Sequence, residues 1–193
     1  MRQKKGIVFV LSGPSGSGKT TLAQALLQDK KFSGKLEKSV SFTTRPRRRG
    51  EKDRRDYIFI TEQEFRRGLE AQKILEWTRY LGYYYGTARD FVDSRLENLR
   101  SLVLCLDLKG AARIKELYPK NSTTIFIMPP SLEELARRIE NRHRETSREE
   151  IGKRLRLAKQ EMARAKDFDF CVVNGDLTRA VKELKRIIVK KIT

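Results

Sequence analysis

Eight consecutive residues, Gly13-Pro14-Ser15-Gly16-Ser17-Gly18-Lys19-Thr20, satisfy the pattern G-x-x-x-x-G-K-[ST] in full. Ahead of them runs Ile7-Val8-Phe9-Val10-Leu11, an apolar, β-branched-rich stretch that reads as a strand buried on both faces. Behind them, Thr20 to Gln28 carries Leu22, Ala23, Leu26 and Leu27 at helical spacing. A strand that turns through glycines into a helix can aim successive backbone N–H groups inward. The helix start adds partial positive charge, and together they suit a polyphosphate. In that arrangement Lys19 reaches the outer phosphates and Thr20 ligates Mg²⁺. A glycine-rich turn that merely joins strand to helix is the alternative, and the matching flanks on both sides argue against it. The motif implies a nucleoside triphosphate and leaves the reaction open.

Beyond the loop, the chain alternates strand and helix signals. Strands are expected at Ser39 to Phe42, Tyr57 to Ile60, Ile74 to Trp77, Leu102 to Leu106, Thr124 to Met128 and Phe170 to Val173. Three helix starts carry the reciprocal capping-box spacing: Thr61 with Glu64, Ser131 with Glu134, and Ser147 with Glu150. The last helix sets Leu177, Val181, Leu184 and Ile188 on one face and Lys and Arg elsewhere. Buried strands alternating with amphipathic helices predict an α/β fold with a mainly parallel central sheet flanked by helices. Thr43 to Tyr85, rich in Arg, Gly, Tyr and short strand signals, reads as a small mixed insertion on that sheet. Glu140 to Glu150 is a charge-dense hinge between two helices, the composition of a mobile surface segment.

The 193 residues suffice for one domain with a real core, and no internal repeat or long linker divides them. Forty-three Lys and Arg against 25 Asp and Glu leave a formal charge of +18, which favours anionic partners such as nucleotides, nucleic acid or acidic lipid. No nucleic-acid-binding motif accompanies that charge, so no specific nucleic acid is expected. Cys105 and Cys171 lie inside apolar runs and read as small core residues, which excludes a disulfide scaffold and fits a reducing, cytoplasmic setting. One His and two Cys argue against a zinc site. The apolar stretches fall far short of the roughly 18 residues of a membrane span. The run Ile7 to Leu11 is likewise too short for a signal-peptide core, so neither a membrane nor export is expected.

A second constellation begins at Ser39-Val40-Ser41-Phe42-Thr43-Thr44-Arg45-Pro46-Arg47-Arg48-Arg49-Gly50-Glu51 and continues to Asp56-Tyr57. Arg45 and Arg48 can grip a nucleoside monophosphate dianion by forked, charge-assisted bonds, and a phenol such as Tyr57 or Tyr85 can add an uncharged donor. Taken alone, the same cluster also suits a solvated basic loop. Its order and spacing decide, because this run closely resembles guanylate kinases when joined to Leu75-Glu76-Trp77, Tyr84-Tyr85-Gly86-Thr87, Leu106-Asp107, Pro129-Pro130-Ser131 and Val173-Asn174. The resemblance covers essentially the whole chain. It implies ATP as phosphoryl donor, Mg²⁺, GMP and dGMP as acceptors, and a monomer or small homo-oligomer. It also implies a division into core (1–40, 88–138 and 155–193), GMP-binding insertion (41–87) and mobile helical lid (139–154).

By the same resemblance, Glu76 is the carboxylate facing the base, with Ser41 and Thr87 as hydroxyl partners and Asp107 near the base and metal. Guanine presents N1–H and N2–H₂ donors side by side, which a carboxylate accepts as a pair, whereas adenine offers a lone pair at N1. A site built on such pairing rejects the wrong base by roughly 10⁴-fold or more. Arginines matching Arg138, Arg142 and Arg154 close on the phosphates. Transfer between phosphates is then mostly positioning and electrostatic clamping by Lys19, Arg45 and these three, with neither a side-chain nucleophile nor a general base. Arg137, Arg144, Arg148 and Arg156 read as solvated. Three positions depart from the family pattern: Cys105 where a carboxylate is common, His143 where glycine is frequent, and Gly175 near the expected adenine edge. A guanylate-kinase-like module that only binds a phosphorylated protein segment is the rival reading, against which the complete loop and lid arginines weigh.

Overall fold

In a computed structural model, residues 5–80, 82–142 and 148–192 are described. The elements in chain order are β1 (Val8–Ser12), α1 (Lys19–Leu27), β2 (Leu36–Lys38), β3 (Ser41–Thr43), β4 (Ile58–Phe59), α2 (Glu62–Glu70), β5 (Ile74–Tyr80), β6 (Tyr83–Ala88) and α3 (Arg89–Glu97). They continue with β7 (Ser101–Cys105), α4 (Leu108–Leu117), β8 (Ser122–Met128), α5 (Leu132–Arg142), α6 (Arg148–Ala163), β9 (Phe170–Val173) and α7 (Leu177–Ile192).

Five strands form a sheet in the order β2-β7-β1-β8-β9, and every neighbouring pair is parallel. The central strand β1 is buried at all five positions, because its two faces meet different layers. Phe9 and Leu11 pack with Leu22 and Leu26 of α1 and Leu184 and Ile188 of α7. Val8 and Val10 pack with Val92 and Leu96 of α3 and Ile114 of α4. A strand covered on both sides has no polar face to show, hence its unbroken apolar run. The loops leaving β1, β7, β8 and β9 at their carboxyl ends gather the residues singled out by the motifs, as open parallel sheets generally do.

The second sheet runs β4-β3-β6-β5, with β3 antiparallel to β6, β6 antiparallel to β5, and β4 parallel to β3. Helix α2 opens on the full Thr61/Glu64 capping box, and its Phe65 stacks on Tyr84 at 5.2 Å between ring centroids. The register of β5 on β6 slips between Ile74 and Trp77, so one extra residue bulges from β5. Bulges re-aim side chains, and here Leu75 joins the core against α3 and α4 while Glu76 is buried beside β6.

Several expectations are corrected. Ser39 to Phe42 is strand only from Ser41: Ser41–Thr43 pairs with β6 in the smaller sheet, and a separate short strand ahead of it, Leu36–Lys38, pairs with β7 in the parallel one. Tyr83–Ala88 is a full strand in its own right. Cys171 is exposed, whereas Cys105 is half-buried and packs against the core as expected; β9 is an edge strand, so alternation buries Val172 and leaves Cys171 and Val173 outside. Leu177 is likewise exposed, α7 burying Ala180, Leu184, Ile187 and Ile188 instead. Ser131 does cap α5 through the Glu134 N–H at 3.1 Å, but the Glu134 carboxylate is engaged by Arg138 at 3.0 Å. The Ser147 capping box, His143 and Arg144 lie outside the described residues, as do the side chains of Arg142 and Arg148.

Candidate active site

The loop Gly13 to Thr20 leaves β1 at Gly13, where φ is 135° and a Cβ would stand 2.5 Å from the Ile127 carbonyl oxygen. Gly18, at φ 94°, forms the cap of α1 with no side-chain hydrogen bond; a Cβ there would stand 2.2 Å from Nδ2 of Asn174. That amide donates to the Ser17 carbonyl at 2.8 Å. The Asn174 N–H donates to the Met128 carbonyl, also at 2.8 Å, and the Asn174 carbonyl accepts from Arg138 at 3.1 Å. Asn174 therefore ties the loop to β8 and to α5. The Lys19 ammonium folds back over the loop, donating to the carbonyls of Gly13 at 2.6 Å and Pro14 at 3.0 Å. Thr20 is exposed in the first turn of α1, with Ser15 exposed and Gly16 partly so at the loop crest. The buried Ser17 hydroxyl has no hydrogen-bond partner among the described residues.

Across from the loop, three strands of the smaller sheet assemble a polar group. Ser41 of β3 stands opposite Thr87 of β6, and the Thr87 hydroxyl donates to Oε1 of Glu76 on β5 at 2.5 Å. Glu76 is 7% and Thr87 0% exposed. Burial raises the Glu76 carboxyl to about 7, with the Thr87 hydrogen bond opposing the rise and the Asp107 charge adding to it. Asp107 begins α4 as its cap, accepting from the Gly110 N–H at 2.8 Å. A cavity of about 440 Å³ opens beside Glu76 toward α4, between Trp77 and the cations Arg89, Lys109 and Arg113. It borders Glu76 without including Ser41, Thr87 or Asp107.

Arg45 is buried and clasped. It donates to Glu51 Oε1 at 2.6 Å and to the Pro46 carbonyl at 2.6 Å, and it lies 5.6 Å from the Tyr57 ring centroid. Tyr57 meets Tyr85 edge-on at 5.9 Å. Glu51 keeps the Arg45 charge favourable against burial, with help from the Tyr85 hydroxyl. The other Glu51 oxygen accepts from the Arg48 N–H at 2.8 Å, so one carboxylate fixes both ends of the arginine loop. The Arg48 side chain is exposed and stands outside this packed group. Burial raises the Tyr57 phenol above its ordinary value, so it stays a neutral donor.

Arg138 and Arg154 are each held by an acid one turn earlier on the same helix, Glu134 and Glu150. Helices α5 and α6 share a small core of Leu135, Ile139 and Ala158. Arg137 and Arg156 are exposed. Three contributors escape sequence reasoning: Asn174 as the loop's tie, Glu51 as the clasp of Arg45, and Glu161 on α6. Burial raises the Glu161 carboxyl, which feels the charges of both Lys19 and Asp107. Glu51 and Asn174 stood within the quoted motifs, but their partners are visible only once the chain is folded.

The family model for guanylate kinase matches residues 5–191. Guanylate kinase of Caldanaerobacter subterraneus subsp. tengcongensis is 42% identical over 187 residues, 97% of this chain and 88% of that protein. Guanylate kinase of Halalkalibacterium halodurans is 39% identical over 188 residues, 97% of this chain and 90% of that protein. Among solved structures, guanylate kinase from Anaplasma phagocytophilum superposes with a TM-score of 0.78 at 31% identity, covering 99% of this chain and 88% of that one.

Proposed function

The chain belongs to the guanylate kinase family and transfers a phosphoryl group from ATP to GMP, and we propose that Glu76 reads the guanine while Arg45 and Arg48 hold its phosphate. The observation that carries this reading is the buried Glu76 carboxylate, bonded to Thr87 and close enough to Asp107 to feel its charge. A carboxylate buried at that cost is useful where a ligand brings two donors to it, and guanine N1–H and N2–H₂ are such a pair. Ser41, opposite Thr87, supplies a second hydroxyl to the base edge. Arg45, preset by Glu51 and backed by Tyr57 and Tyr85, receives the monophosphate, and Arg48 swings in from the exposed side.

Gly13, Pro14, Ser15, Gly16, Ser17 and Gly18 cradle the donor phosphates with backbone N–H groups, and Lys19 exchanges its loop carbonyls for phosphate oxygens. The hard-oxygen donor at Thr20 fits Mg²⁺, which takes one or two protein ligands and completes its shell with phosphate and water. When bound, Mg²⁺ neutralises developing charge on the phosphates. The GMP oxygen is already ionised, so no proton need be removed from it. Arg138, Arg142 and Arg154 converge on the transferring group and exclude water, with Arg45 steadying the acceptor oxygens. On this reading residues 41–87 form the GMP-binding subdomain, 139–154 the lid, and 1–40, 88–138 and 155–193 the core. We extend the acceptor range to dGMP, and place the enzyme in the cytoplasm as a monomer or small homo-oligomer without a specific nucleic-acid partner. Among the described residues no helix is long and apolar enough to cross a membrane.

ADP release measured with ATP, Mg²⁺ and a panel of GMP, dGMP, AMP, CMP and UMP tests the assignment. Turnover confined to GMP and dGMP, lost in Glu76→Gln, is expected. Comparable turnover of AMP or a pyrimidine would remove Glu76 from the base site.

A further inference from the structure

Gly110 is the third residue of α4, with ordinary helical backbone, so no left-handed conformation asks for glycine there. In the middle of a helical turn glycine is a poorer choice than alanine, and its presence calls for a reason in the surroundings. A Cβ on Gly110 would stand 2.6 Å from Oε2 of Glu76, 3.2 Å from the Leu106 Cβ and 3.3 Å from Oδ1 of Asp107. The first distance is one that real Cβ atoms essentially never show, and the other two are tight enough that those neighbours too would have to give by a few tenths of an ångström. The Glu76 carboxylate can step aside only by disturbing its hydrogen bond from Thr87 within a buried setting. The Gly110 N–H meanwhile holds Asp107 at 2.8 Å, on the α4 side of the same carboxylate.

We propose that Gly110 is a positioning residue for guanine selection: the missing side chain leaves the room in which Glu76 lies with Oε1 held by Thr87 and the remaining lone pairs of both oxygens open to the base, while the backbone N–H keeps Asp107 turned to the helix. This rests on the reading of Glu76 as the base acceptor. A methyl at position 110 rotates the carboxylate out of line, so the two guanine donors no longer meet two oxygens at once. The phosphate loop and Arg45 lie on other elements and are untouched. Specificity at this site is therefore set partly by a residue that touches no substrate.

The test is Gly110→Ala in the full chain, with GMP and ATP kinetics, GMP affinity by calorimetry and thermal unfolding. We expect KM for GMP to rise about tenfold or more, with KM for ATP unchanged and kcat altered much less. Glu76→Asp, one methylene shorter, withdraws the carboxylate from the added methyl, so Glu76→Asp/Gly110→Ala should bind GMP as Glu76→Asp does. Losses that simply add, or an unchanged KM for GMP in Gly110→Ala, overturn the proposal. If Gly110→Ala is too unstable to assay, the double variant must regain thermal stability, and failure to do so also overturns it. Selectivity for GMP surviving in Glu76→Gln would instead bring down the Glu76 reading, whatever Gly110 does.

Discussion

Glu76→Gln keeps the shape of a buried side chain and removes its charge, so it separates what the carboxylate costs the fold from what it does for GMP. The carboxyl stands at about 7 in the fold against an ordinary 4.5, chiefly through burial. The folded protein therefore binds more protons than the unfolded chain between those two values. The stability that goes with the neutral acid is fully present below 4.5 and is lost as pH rises through about 7, roughly 3 kcal/mol in all. Glutamine is neutral at every pH. Its carbonyl can still accept from Thr87, and its amide faces Asp107. Glu76→Gln should thus match the parent protein near pH 4.5 and exceed it at pH 8 by up to about 3 kcal/mol, or roughly 6–12 °C in Tm for a domain of this size. Function moves the other way. One charge-assisted bond to the base is replaced by an N–H facing an N–H, and kcat/KM for GMP should fall about 10²- to 10³-fold at pH 8 with KM for ATP nearly unchanged. Paired denaturation scans and ADP-release kinetics at both pH values decide it. A variant less stable than the parent at pH 8, or one losing less than about tenfold in kcat/KM for GMP, refutes the reasoning.

The same carboxyl predicts a pH profile: kcat/KM for GMP is flat above about 7 and falls as the pH drops below it, because the neutral acid cannot accept from both guanine donors. In Glu76→Gln only the ionisation of the GMP phosphate near about 6 remains, so a parent profile without the limb near 7 contradicts the assignment. Glu51→Gln weakens the clasp on Arg45 and should raise KM for GMP about tenfold while sparing KM for ATP; steady-state kinetics with each substrate varied in turn check this. Asn174→Ala leaves the Ser17 carbonyl without its amide, costing about 1–3 kcal/mol of stability. It should also lower kcat/KM for ATP, while Arg138, which bonds the backbone carbonyl at 174, keeps its contact.

The phosphate loop, its strand and its helix were legible from sequence because everything that makes them lies within about twenty residues. Glycines at positive φ, an apolar run and a helical stripe are local properties, whereas the acceptor-site residues were nominated only by the matching of spaced motifs and their roles are proposed. The arrangement of those residues had to wait for the fold. Ser39 to Phe42 looks like one strand because Ser and apolar residues alternate through it, yet Ser39 still bonds Val103 of β7 while Ser41 starts the strand paired with β6, a choice made by partners remote in sequence. The bulge between Ile74 and Trp77 is set by pairing with β6, and it buries Leu75 and Glu76 together. Asn174 meets Ser17 across 157 residues, and Gly110 meets Glu76 only because α4 packs against β5. What the sequence alone determined is the chemistry the chain carries: a polyphosphate loop, paired arginines and a carboxylate in the guanylate kinase pattern. Tertiary structure decided how far that carboxylate is buried, what holds each arginine and where a side chain must be absent, since burial, pairing and steric exclusion arise only between segments distant along the chain.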